Sequence, residues 1–148
     1  MPNSIKGIIP VMLTAFDDRG GIDWESQKKL TDWYLEQGSE SLFTVCQSSE
    51  MLYLDLSERE ALARFTVEVV DGRVPVIASG HVGVTLEEQL TELTKIAATG
   101  VDCLVFVTNR LDPDNSGSEH LFKTVETLKQ ELPRDLRLGL YECPAPYR

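Results

Sequence analysis

The stretch GRVPVIASGHVGVTLEEQLTELTKIAATGVDCLVFVT, residues 72–108, carries a complete strand–helix–strand signal. Its flanks, VPVIAS (74–79) and DCLVFV (102–107), are nearly continuous apolar runs rather than alternating ones. That is the pattern of parallel strands covered on both faces. Between them, Thr85 and Glu88 fit a capping box, and Leu86, Leu90, Leu93, Ile96 and Ala97 recur at helical spacing. Gly100 stands where a helix end usually needs a left-handed residue. A strand, a crossover helix and a second strand are the minimal connection of a parallel sheet.

Reading outward, the same unit repeats. Strand-like runs occupy 7–16, 41–46 and 136–141, and helical segments fall near 24–37, 57–70, 85–98 and 118–130. Asp23 is a good N-cap, Ser57 with Glu60 and Ser116 with Glu119 fit further capping boxes, and Gly38 and Gly72 mark helix ends. After the first run, strand starts lie roughly 30 residues apart, as repeated βα modules require. Such modules build either a doubly wound sheet or a barrel. The sequence holds five strand-like runs but four helical segments. A doubly wound domain would cover its last strand with a helix, whereas a barrel at this point is just past halfway. The expected fold is therefore α/β: a parallel (β/α)8 TIM barrel truncated after strand 5, with residues 1–148 as a single domain.

The net charge of −10, from 14 basic and 24 acidic residues, argues against a nucleic-acid partner, which needs a basic face. No apolar run approaches the roughly 20 residues that cross a bilayer, so no membrane role is expected. The first ten residues lack the layout of a secretory signal, which points to a cytoplasmic protein. Cys46, Cys103 and Cys143 match no metal-ligand spacing and are expected as reduced thiols. No metal or organic cofactor is implied.

In parallel α/β folds the chemistry sits at the C-terminal strand ends. Here these read TAFDDRGG, CQSSEM, SGHVG, TNRLDPDN and YECPAPYR. Neither GxGxxG nor GxxxxGK[ST] is present. A receiver-like phosphorylation domain would fit the length, with Asp17 and Asp18 as its acidic pair. It lacks an acceptor aspartate after VPVIAS and a lysine after LRLGLY. The hydroxyl-rich turn Gln47, Ser48, Ser49 and Glu50 is a candidate anion holder, with an ordinary hydrogen-bonded loop as its alternative. His81 has no partner nearby in sequence and is expected as a loop histidine. Asp112, Asp114 and Asn115 read as a polar turn.

Taken together, these stretches resemble the dihydrodipicolinate synthase/N-acetylneuraminate lyase family of Schiff-base aldolases. The resemblance runs through GIIPVMLTAFDDRGGIDWESQKKLTDWYLEQG, LFTVCQSSEMLYLDLSERE, the 72–108 unit and LGLYECPAP, in register over essentially the whole chain. It implies an imine between a lysine on strand 6 and pyruvate or another 2-keto acid, with a strand-5 tyrosine relaying protons. By position the tyrosine is Tyr141 and the carboxylate-binding pair is Gln47 and Ser48, with Ser49 beside them. The family's frequent tyrosine pair after strand 4 is replaced by Asn109 and Arg110, and Ala145 and Pro146 stand where an arginine is usual. Arg110 offers positive charge for an acidic substrate, and Arg148 is a second candidate clamp. These departures favour a related aldolase, dehydratase or lyase over dihydrodipicolinate synthase itself. Lys6 precedes the first strand and Lys28, Lys29, Lys95, Lys123 and Lys129 fall on helices, so the imine lysine is expected beyond this chain, which alone would be inactive. A homo-oligomer is implied by the resemblance. The alternative is a non-catalytic half-barrel that binds a small acid or pairs with itself.

Overall fold

The computed structural model describes residues 5–142. In chain order it contains α1 (Trp24–Glu36), β1 (Leu42–Thr44), a short 3-10 turn (Gln47–Ser49), α2 (Leu56–Val70), β2 (Val76–Ala78), α3 (Leu86–Ala97), β3 (Cys103–Val107), α4 (Thr108–Leu111), α5 (Ser118–Glu131) and β4 (Arg137–Tyr141). The four strands form one sheet in the order β1-β2-β3-β4, and every neighbouring pair is parallel. Each strand therefore pairs with the next one in sequence, the progression by which a barrel wall is built.

Both faces of the central strands are covered, as their unbroken apolar runs require. On the helix side Leu42, Ala78, Leu104 and Phe106 pack with Leu62, Leu93 and Ile96 in one buried core. Each such fully buried large side chain contributes about 1.5–3 kcal/mol. On the opposite face Phe43, Cys46, Ile77, Cys103 and Val105 form a second cluster, with Ile5 and Ile9 half-buried against it. β4 lies at the sheet's margin, where Leu140 and Tyr141 are exposed.

The structure corrects the expected first strand and hence the count of five. Residues 7–16 form no strand, and only an isolated parallel bridge joins Val11 to Phe43. Pro10 has no N–H to offer a ladder, although its carbonyl accepts from Phe43 N at 3.1 Å. Met12 N donates to the Phe43 carbonyl at 2.8 Å, Glu40 N to the Ile8 carbonyl at 3.0 Å and Asp23 N to the Ala15 carbonyl at 2.9 Å. A second isolated bridge joins Phe16 and Ile22, and side chains take up further groups. Buried Gln27 accepts from Ala15 N at 2.8 Å and donates to Leu13 O at 3.3 Å, and the Tyr34 hydroxyl accepts from Leu13 N at 3.3 Å. The helix count also differs, because the short α4 follows β3 directly.

Capping follows the sequence at two helices and departs from it at two. Asp23 caps α1, and Thr85 with Glu88 forms a reciprocal box at α3. At α2 the box belongs to Asp55 and Glu58, and the Ser57 hydroxyl instead donates to Asp55 at 2.6 Å. At α5 the N-cap is Gly117, and the expected Ser116–Glu119 box does not form. The buried Asp112 carboxylate accepts the Ser116 and Gly117 N–H groups instead, at 2.8 and 3.2 Å.

A buried charged network ties the helices to the loop after β2. Arg59 on α2 donates to Glu92 Oε1 on α3 at 2.8 Å and to the Gly80 carbonyl at 2.6 Å. The second Glu92 oxygen accepts the N–H groups of Val82 and Gly83 at 2.7 and 2.8 Å. Five polar groups thus satisfy one another, which is the condition for burying a charge pair without a large penalty.

Candidate active site

The C-terminal ends of β1 and β4 meet at a narrow cavity of about 10 Å³, lined by Val11, Phe43, Cys46, Gln47, Ser48, Val107 and Tyr141. That is room for roughly one water molecule. Wider hollows of about 310 and 600 Å³ lie around the starts of β3 and β4 and alongside α5. They sit away from the strand ends that carry chemistry in this class of fold.

Three of the five residues picked out in the sequence converge here. Tyr141 ends β4, pairs in register with Val107, and sets its ring edge-on to Phe43 at 6.3 Å between centroids. Gln47 is half-buried and Ser48 exposed on the 3-10 turn that follows β1. The turn is launched by Val45, which takes a left-handed φ of +48° although it is β-branched and fully buried. Such strain collects where a structure aims functional groups. It was not visible in the residue pattern, because nothing about a valine announces it.

The other two residues are placed differently. Ser49 does not line the cavity: it is fully buried, its hydroxyl donates to the Met12 carbonyl at 2.7 Å, and its oxygen accepts from Cys46 N at 3.2 Å. Thr14 in turn donates to the Ser49 carbonyl at 2.7 Å, so this serine fastens the N-terminal segment to the turn. Arg110 is half-buried on α4 and lies outside the cavity wall, its carbonyl accepting from Gln89 at 2.8 Å. Ala145, Pro146, Arg148 and Cys143 lie outside the described residues.

His81 stands in the loop after β2, as expected, but it is fully buried and has partners that the sequence did not indicate. Its Nε2 accepts from Val107 N at 2.8 Å, which leaves the ring proton on Nδ1, facing Gln89 Oε1 at 3.1 Å. Burial pulls its pKa down to about 4, the Gln89 bond and the Glu92 charge opposing, while the Arg110 and Arg59 charges add to the depression. The ring is therefore neutral at physiological pH. Close by in the fold, the hydroxyls of Ser79 and Thr108, just past β2 and β3, are buried without a partner among the described residues.

Cys46 and Cys103 are both buried free thiols, and burial pushes the Cys103 thiol up. Among the described residues no group of three His, Cys, Asp or Glu side chains is placed to hold a metal. No described helix is long and apolar enough to cross a membrane. All six lysines are exposed, and none stands at the C-terminal end of a strand.

The consecutive parallel strands and outer helices are those of part of a βα-barrel. Residues 4–145 match the sequence model of the Dihydrodipicolinate synthetase family, and the chain belongs to that family. It is 36% identical over 124 residues to 4-hydroxy-tetrahydrodipicolinate synthase of Bacillus velezensis, covering 82% of this chain and 42% of the relative. Dihydrodipicolinate synthase of Bacillus anthracis superposes with a TM-score of 0.81 at 28% identity, over 93% of this chain and 45% of that one. The prophage protein YagE of E. coli K12, solved in complex with pyruvate, gives 0.81 at 29% identity, over 95% and 46%. The chloride-inhibited dihydrodipicolinate synthase of Acinetobacter baumannii, complexed with pyruvate, gives 0.85 at 26%, over 95% and 47%. The chain thus spans less than half the length of these relatives.

Proposed function

We propose that these residues form the part of a lyase of the class I aldolase type that receives a 2-keto acid and carries its proton relay. The supporting observation is the convergence of Tyr141 with Gln47 and Ser48 on one cavity at the strand ends. Two similar proteins were solved in complex with pyruvate, which supports a 2-keto acid as the substrate class. Because every lysine here is exposed and away from the strand ends, the imine lysine comes from sequence outside these 148 residues. The chain alone is then inactive.

In the proposed step the lysine amine attacks the keto carbon, a C–N bond forms, and the carbonyl oxygen becomes a hydroxyl. That oxygen leaves as water, carrying the two protons that the amine nitrogen gives up. Tyr141 takes one proton from nitrogen and passes it to oxygen, a transfer that a phenol at the cavity wall can mediate in both directions. Gln47 and Ser48 supply amide and hydroxyl donors for the acid's carboxylate. Arg110, which stands outside this cavity, is proposed to act at the mouth on the acidic partner of the keto acid.

The test is borohydride trapping with pyruvate, and with other 2-keto acids, on the protein that contains this chain together with its imine lysine. A mass increase from a reduced imine is expected, and no adduct with any 2-keto acid would sink the mechanism. Tyr141→Phe is expected to lower turnover by roughly 10²–10⁴-fold, the usual worth of a positioned acid–base group. Unchanged turnover would remove the role assigned to Tyr141.

A further inference from the structure

The β2–β3 ladder stops early. It pairs Ile77 with Cys103 and Ala78 with Leu104, while β3 runs on to Val107 and meets Tyr141 on its other side. β2 turns away at Gly80, whose φ is +82° and where an added Cβ would stand 2.8 Å from Ile96 Cγ1. Past that turn the Val107 N–H finds its acceptor in the His81 imidazole, at 2.8 Å from Nε2. A side chain has replaced a ladder rung. The ring's Nδ1–H then donates to Gln89 Oε1 at 3.1 Å, and Gln89 Nε2 donates to the Arg110 carbonyl at 2.8 Å. Both His81 and Gln89 are buried, so no water competes for these bonds.

We propose that His81, through its bond to the Val107 N–H, is a positioning residue for the Tyr141 phenol. The role rests on the proposed function of Tyr141. Val107 and Tyr141 line the same cavity and are register partners, so whatever fixes Val107 fixes the wall against which the phenol stands. An imidazole suits this place because one rigid ring accepts at one end and donates at the other. Leucine would fill similar space and leave the Val107 N–H and the Gln89 carbonyl orphaned.

Three variants separate the two bonds, in the protein that includes the imine lysine. His81→Leu removes both. His81→Asn places its amide near the Nδ1 position and keeps the Gln89 arm alone. His81→Gln reaches the Nε2 position and keeps an acceptor for Val107. Far-ultraviolet circular dichroism checks folding. With pyruvate as sole substrate, kcat for exchange of its methyl protons with solvent through the imine is expected to fall roughly 10- to 100-fold in the Leu and Asn variants with KM within about twofold, and Gln is expected to recover most of the loss. In a Tyr141→Phe background His81→Leu should lower kcat no further, since its effect passes through the phenol. Equal kcat in all three variants, or losses that multiply in the double variant, would overturn the positioning role. A second readout needs no turnover: the imidazole ¹⁵N spectrum of this chain should show Nδ1 protonated and Nε2 bare. A proton on Nε2 would overturn the His81 role alone and leave the aldolase reading standing. A missing borohydride adduct in the wild type would remove the aldolase reading and the positioning role with it.

Discussion

Acid should destabilise this fold through one residue more than any other. His81 is fully buried, and its pKa is held at about 4 against an ordinary 6.5. The groups that face it are Gln89 and Glu92 on α3, Arg59 on α2 and Arg110 on α4, with desolvation dominant. The unfolded imidazole takes up a proton near 6.5, while the folded one resists until about 4. Acid therefore favours the unfolded chain. The contribution is complete above 6.5 and drains away as pH falls toward 4, amounting to about 2 kcal/mol by pH 5 and about 3 kcal/mol by pH 4. Carboxyls lose stability over an adjoining range. Asp23, Asp32, Asp55 and Glu88 all titrate below their ordinary values, owing first to bonds from Ser26, Lys28, Ser57 and Thr85. A matched comparison cancels them. His81→Gln does not titrate and keeps an acceptor for Val107, so urea unfolding of wild type and variant across the pH range isolates the imidazole. The gap between their midpoints should change by about 1 M urea between pH 7 and pH 5, in the direction that penalises the wild type. Parallel curves for the two proteins would refute both the buried neutral ring and the bond assignment built on it.

Two further outcomes follow from the same interior. Arg59→Met should cost about 3–5 kcal/mol in urea unfolding, because it leaves the Glu92 carboxylate buried without its cation. Adding Glu92→Leu should not restore the loss, since the N–H groups of Val82 and Gly83 and the Gly80 carbonyl then lack partners. Gly80→Ala should cost about 1–3 kcal/mol, seen as a fall of several degrees in thermal unfolding, because the position is left-handed and crowded by Ile96. A neutral result would mean that the β2 turn differs from the one described.

The parallel fold was legible because its determinants are local. The apolar runs of β2 and β3, the Thr85–Glu88 box and the left-handed Gly100 each act within a few residues, and all four took the expected form. Where the sequence misled, two local solutions competed and long-range contacts chose. In DLSERE both Asp55–Glu58 and Ser57–Glu60 fit the same motif. The earlier start forms and turns Arg59, Leu62 and Thr66 inward. The 7–16 run looks like a strand because it is apolar, but it meets β1 only at Phe43, and Gln27 and Tyr34 take up the polar groups of Leu13 and Ala15 beyond that point. The strand-end places of Tyr141, Gln47 and Ser48 were legible, since they follow from the βα repeat. The inward turn of Ser49 and the burial of His81 were not legible. Each depends on a partner 37 or 26 residues away, Met12 and Val107, and no spacing rule connects them.

Gln27 sits on an outer helix, remote from any chemistry, yet its amide holds the segment whose Met12 and Thr14 clasp Ser49. The consequence is evolutionary. Positions 14, 27 and 49 are joined through the backbone of residues 12–15, beside the turn that carries Gln47 and Ser48. Drift at any one of them should be tolerated only when the others change as well. Across homologous sequences these three columns are then expected to covary with the character of the turn, so that a change at the turn leaves part of its record on a helix outside the cavity wall.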